Sequence, residues 1–267
     1  MSADLTVEGG DLAALRKTNL EAPEGRIELG SVAGPGLVSL NSIDKGWALG
    51  YEGVQNFKDI QVSGQAAVNA SGEGGGDIQV QGRRISVRDA STIFADTLGS
   101  QKGGGISIQA LELIVQDGAE VSAGTGTGST GPGGTLAVTA SDSVELSGTG
   151  TISTRTVPSG LFARTAGTGA GGNLTITTRQ LIVQNGANVS TSTSGKGQGG
   201  TLTVTASDSV ELSGTSPDSQ SRSGLFAPTT GSGAAGKLTI TTGQLIVQDG
   251  AQVSAGTSDN STGRGEI

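Results

Sequence analysis

The chain has 267 residues, a net charge of −8, 48 glycines, 6 prolines and neither cysteine nor histidine. That composition excludes disulfides, thiolate or imidazole metal sites and histidine-based catalytic triads, and lysine and arginine are too scattered to form a basic stripe for nucleic acid. Glycine without a triplet period excludes collagen, and no apolar run approaches the roughly 20 residues of a membrane-spanning helix, so neither nucleic acid nor membrane insertion is expected.

Taken in chain order, residues 1–24 read as an irregular N-terminal segment. Asp11–Lys17 (DLAALRK) suits one or two helical turns or a coil entering the first strand, and short helices are marginal alone. No basic region followed by an apolar core is present, so no signal peptide is visible. Residues 25–73 change to short strands: Arg26–Leu29, Gly36–Leu40, Trp47–Leu49, Asp59–Val62 and Ala67–Ala70. Trp47 and Tyr51 lie in this less regular part and are read as core or cap packing rather than as a stacking platform.

Residues 74–267 are a regular repeat. Gly171–Ser190 returns as Ala235–Ser254 with 15 of 20 residues identical, 64 positions on. Gly133–Thr149 returns as Gly199–Thr215 with 16 of 17 identical, 66 positions on. Such self-similarity marks one structural unit stacked on itself, with a two-coil super-repeat of about 64–66 residues. Each coil opens with two small residues, one free position and an apolar–polar–apolar triplet, starting at Ile78, Ile106, Leu136, Leu174, Leu202 and Leu238. The spacings are 28, 30, 38, 28 and 36. Within the coil at Leu174, three short strands follow from alternation: LTI, QLIV and ANVSTS, with bends at Thr-Thr-Arg, at Asn185–Gly186 and in a Gly-rich return.

Three short strands per coil, each followed by a bend, predict an all-β fold: a right-handed parallel β-helix (a solenoid) of roughly 6–8 coils, stacked at about 4.8 Å per coil. Asp117–Gly118, Asn185–Gly186 and Asp249–Gly250 then share one corner as turns, where Asn in place of Asp argues against an obligate cation. The longer coils carry Thr156–Gly171 and Ser219–Ala235, both containing Ser-Gly-Leu-Phe-Ala. Leu161, Phe162, Leu225 and Phe226 therefore stand two coils apart on the same side, either folding back over a strand edge or forming an exposed apolar ladder for a partner.

No catalytic constellation emerges, and no cofactor or metal ligand set either. Glu145 and Glu211 align with Ile182 and Ile246 on the outer face, about two coils (roughly 9.6 Å) apart with an alkyl group between them. Asp142 and Asp208 sit in a bend, where forming turns is their commoner role. Gly74–Asp77 only faintly resembles a calcium-binding nonapeptide, since its Asp does not recur every nine residues. The Thr rows of LTIT and LTVT, which would suit an ice-binding face, are interrupted by Arg179, Asp208 and Lys237.

Gly25–Leu40 (GRIELGSVAGPGLVSL), Lys45–Ser63, Gly72–Val87 and the ELIVQDGAEVSAGT unit resemble the cyanobacterial branch of filamentous-haemagglutinin-like exoproteins, the secreted partners of two-partner secretion systems. That resemblance covers the chain from about Gly25. It implies a right-handed β-helix, export through an outer-membrane β-barrel transporter, and a secreted or cell-surface location. It also implies a non-catalytic structural or adhesive role toward surface glycans or other cells. Family members begin with a signal peptide and a secretion domain whose end the stretch from Gly25 resembles. Only 24 residues precede it here, so the secretion determinants are expected to be missing and no family site residue carries over. A polysaccharide-active β-helical enzyme, or a truncated remnant without independent function, are the alternatives.

Overall fold

In a computed structural model of the chain, which describes residues 4–8, 12–16, 19–43, 46–152 and 154–257, the apolar–polar–apolar triplets become strands that lie in register on one another. All regular structure among the described residues is β. An eleven-stranded and an eight-stranded sheet are wholly parallel, and two antiparallel two-stranded hairpins project from them. The chain runs a strand in the larger sheet, turns a corner, adds a three-residue strand to the smaller sheet and returns. One such circuit is termed a rung here.

Registration makes columns. Ile27, Ile78, Ile106, Leu136, Leu174, Leu202 and Leu238 are successive Cα partners across the larger sheet. Val68, Ile93, Val121, Leu161, Val189, Leu225 and Val253 are partners across the smaller one. The two sets meet inside as one contiguous apolar cluster, which alternation alone supplies because every second side chain on each strand points inward.

Two of the three strands expected per coil prove to be one. Gly105–Gln116, Thr135–Ser147, Asn173–Gln184, Thr201–Ser213 and Lys237–Gln248 run unbroken through the expected first bend. The bend survives as a shift of register, for example between Ala140 and Ser143 or between Thr178 and Gln180. Inward positions run Leu174, Ile176, Thr178 and then Leu181, Val183, so the alternation slips by one residue there. Thr135–Ser147 and Thr201–Ser213 carry one residue more at this point, so their inward positions run from Ala140 to Val144 and from Ala206 to Val210, and the backbone ladder resumes in register beyond the extra residue. The third strand is shorter than expected, Asn188–Ser190 rather than the whole of ANVSTS.

The paired small residues that open each coil are glycines stacked backbone to backbone. A Cβ on Gly200 would stand 1.7 Å from the Gly172 carbonyl oxygen, and one on Gly172 would stand 2.5 Å from that of Gly134. At the opposite corner Asp117, Asn185 and Asp249 take φ of 57°, 56° and 54°, each followed by a positive-φ glycine, as the turn reading requires.

The extra residues of the long coils differ in position from the expectation. They form the hairpin Thr149–Ile152/Arg155–Pro158 in one case and a turn closed by Thr215 and Arg222 in the other. The Gly-Leu-Phe segments that follow belong to the smaller sheet itself. The first residues also differ from the irregular segment expected. Asp4–Glu8 pairs with Arg26–Gly30, Leu12–Arg16 with Ile60–Ser63, and Asn19–Glu21 with Ala67–Asn69. Leu12–Arg16 is thus strand rather than helical turn, while Asp11 and Lys17 lie outside the described residues. Between Gly30 and Ile60 the chain leaves the sheets in an excursion carrying the hairpin Ser39–Ile43/Gly46–Gly50. Tyr51 packs edge-on against Phe57 at 5.6 Å, as expected of core packing, whereas Trp47 stands half-exposed.

Candidate functional site

Several polar side chains on the outer faces answer one another across rungs. Glu145, Ile182, Glu211 and Ile246 are successive partners, as the sequence alignment of coils implied. Gln184 Nε2 donates to Glu145 at 3.1 Å, and Gln180 Nε2 and Ser209 Oγ donate to Glu211 at 3.0 and 2.9 Å. At the register shift Arg179 joins two rungs, donating to Asp142 at 2.6 Å and to Asp208 at 2.7 Å. Its hydrogen bond holds the Asp208 carboxyl below the usual carboxylate range.

The four Leu-Phe residues form no outer apolar ladder, which corrects that expectation. Leu161 and Leu225 are fully buried members of the inner column that also holds Val121 and Val189. Phe162 faces outward but is only 1% exposed. A Cβ on Gly160 would lie 2.7 Å from its Cζ, so the ring covers the bare glycine two residues earlier, and the Arg164 guanidinium lies 3.5 Å from the ring centroid. Phe226 covers Gly224 in the same way, its Cζ 2.8 Å from where a Cβ would be.

Beside Phe162 the smaller sheet carries its one concentration of charge among the described residues. Asp96 accepts from Ser122 Oγ and from the Gly124 amide, both at 2.7 Å. Glu120 faces Arg164 at 3.9 Å. Burial pushes both carboxyls up from their ordinary values, against the pull of Arg164. Both acids are thereby committed to neighbours on the sheet.

A groove of about 320 Å³ is different in kind. One wall is the excursion, through Gln55, Asn56 and Phe57. The floor is the outer face of the larger sheet, through Gln81, Gln109 and Thr139 on three successive rungs, and Arg83 and Leu111 close the ends. Arg83 is held by a two-pronged bond to Asp59, at 2.8 Å from both Nε and Nη2. The carboxamides of Gln55, Asn56, Gln81 and Gln109 have no side-chain hydrogen-bond partner among the described residues, in contrast to the Gln180–Glu211 and Gln184–Glu145 pairs. Donors and acceptors of this kind, stacked about one rung apart beside an aromatic edge and an alkyl group, offer both polar and apolar contacts to one ligand.

Reasoning from sequence missed this groove. Its floor was legible as a glutamine at the same outer position in DIQVQ and ISIQ. Its wall was not, because nothing in QNF announces that the excursion folds back over those glutamines. Compared with known proteins, the chain matches no family model, no curated protein and no solved structure.

Proposed function

We propose that the chain is a right-handed parallel β-helical segment with a non-catalytic, adhesive role, carried on a secreted or surface-displayed exoprotein of the filamentous-haemagglutinin-like kind and exported by an outer-membrane β-barrel transporter. The handedness rests on the general rule for parallel crossovers. The β-helical reading is supported by the closed circuit of each rung and the unbroken in-register columns. Its ligand on this reading is a glycan, bound along the groove between the excursion and the larger sheet.

The observation that carries the adhesive reading is the groove itself, where four carboxamides without a side-chain partner among the described residues stand together beside Phe57 and Leu111. Sugar hydroxyls present donors and acceptors in rows, and the C–H face of the ring suits an aromatic or alkyl neighbour. The test is titration of the purified chain against a panel of neutral oligosaccharides. Binding is expected, and Gln81→Ala with Gln109→Ala should weaken it about tenfold, as the loss of two hydrogen bonds of roughly 0.5–1.5 kcal/mol each implies, without lowering the melting temperature. Absence of binding across the panel, or binding untouched by the double substitution, would refute the assignment.

A further inference from the structure

The groove that holds the carboxamides does not end at Gln81. A second groove of about 280 Å³ lies on the same three strands, and its floor includes Gln79, Ser107 and Ala137. These are the outward positions next to Gln81, Gln109 and Thr139, in one register across Asp77–Gln81, Gly105–Gln116 and Thr135–Ser147. Side chains two residues apart on a strand share a face, so the two grooves are halves of one trough that follows the strands. From Asp77 to Gln81 the trough is about 13 Å long, which one sugar ring does not fill.

The excursion flanks both halves. Phe57 walls the first, and Tyr51 lies over Gly30, where a Cβ would stand 1.8 Å from its hydroxyl oxygen. Further along, the Leu49 carbonyl accepts from Gln79 Nε2 at 3.4 Å. The floor changes character beyond Gln81. In the second half Gly105, Ser107 and Ala137 are too small to project, which leaves a shallow, level bed. At its far end Asp77 has no hydrogen-bond donor to its carboxylate among the described residues, with Arg26 Nη1 3.9 Å away. Neither arginine of the trough is free to draw an anion. Arg26 is bonded to Glu28 and, at 3.2 Å, to Gln79, and Arg83 is bonded to Asp59.

Resting on the glycan reading above, we propose that the ligand is a linear, uncharged oligosaccharide lying along the strands. The carboxamides hold its hydroxyls in the first half, its next rings lie flat on Ser107 and Ala137, and a hydroxyl at the far end donates to Asp77. The same carboxylate repels an acidic sugar at that position.

Calorimetric titration of the purified full chain with malto-, cello- and manno-oligosaccharides, each from the single sugar to the hexasaccharide, tests this. In the series that binds, affinity should rise with length by about tenfold or more and level off once the trough is filled. Ala137→Trp, at an outward strand position, should erase that gain without lowering the melting temperature. Asp77→Ala should weaken the longest member about tenfold, as the loss of one hydrogen bond to a charged group implies. Equal affinity at every length, a gain with length that survives both substitutions, or substitutions that weaken the shortest binder as much as the longest would each overturn the proposal and leave the glycan reading standing. Absence of binding in every series would refute that reading, and this inference with it.

Discussion

Thr191 is a threonine in a column of alanines. Ala163 and Ala227 are its neighbours above and below through the backbone bonds Ala163 N to Ser190 O and Thr191 N to Phe226 O. It is fully buried, and its Oγ1 finds no partner. An unsatisfied buried hydroxyl costs about 1–3 kcal/mol, whereas the methyl lost on truncation is worth about 0.8 kcal/mol. Thr191→Ala is therefore expected to leave stability unchanged or raise it by about 1 kcal/mol, as read from the urea midpoint; a loss beyond about 1 kcal/mol would show that the hydroxyl is satisfied. Asp96 gives the opposite kind of residue, one with partners but too little water. Because burial raises its folded pKa above the ordinary 3.8, the folded chain keeps this proton to higher pH than the unfolded one does. Its contribution to stability therefore grows as pH falls from neutral through the raised pKa, and is complete near the ordinary value. Asparagine at this position can still accept from Ser122 and Gly124 while carrying no charge to desolvate. Asp96→Asn should melt higher at pH 7 and gain less on acidification than the parent chain, whose other shifted carboxyls, Glu28 and Glu120 raised and Asp208 and Asp218 lowered, are common to both proteins. Equal pH slopes in the two proteins would contradict this account. Neither property was legible in the sequence, since both depend on how much water the neighbouring rung excludes.

At the scale of the strand, Gly160–Phe162 shows why Ser-Gly-Leu-Phe-Ala recurs. Leucine fills the inner column, phenylalanine lies outside, and glycine leaves room for the ring. A Cβ on Gly160 would also stand 2.0 Å from the Asn188 carbonyl oxygen, which belongs to the adjoining strand on the next rung. Gly160→Ala is expected to cost about 1–3 kcal/mol in chemical denaturation. Gly224→Ala makes the same clash with Gln252, but that residue lies on the edge strand Gln252–Ser254 and can move aside, so the loss should be smaller. Equal losses would mean that the edge strand is held as tightly as an inner one. Strand identity was legible from alternation, and so was the stacking of the Leu-Phe pairs two rungs apart. Their burial was not, because the sequence does not distinguish an inserted loop from a hairpin placed just before a sheet strand. Nor did it reveal that the first two strands merge, because adjacent rungs differ there by only one residue, which the ladder absorbs as a shift of register.

For the whole molecule, repetition carried the reading furthest. The 64- and 66-residue echoes implied a stack, and the columns of both sheets have that form. The first rung was missed because DLAALRK suits helix and strand alike, although LTVEGG repeats the apolar–polar–apolar pattern of IQVQGR in the same columns. The groove depends on where a long excursion comes to rest, which no local pattern encodes. The corners bear on how such a chain changes length. Added residues leave the stack between the two sheets, as Thr149–Pro158 does, and the inner columns on either side keep their partners. Gaining or losing a 64-residue unit such as 171–234 would join Ala170 to Ala235 within equivalent Gly-rich returns and set Leu238 in the place of Leu174. The core therefore places no penalty on duplication, and close copies within one chain are what unequal recombination leaves behind when packing does not select against it.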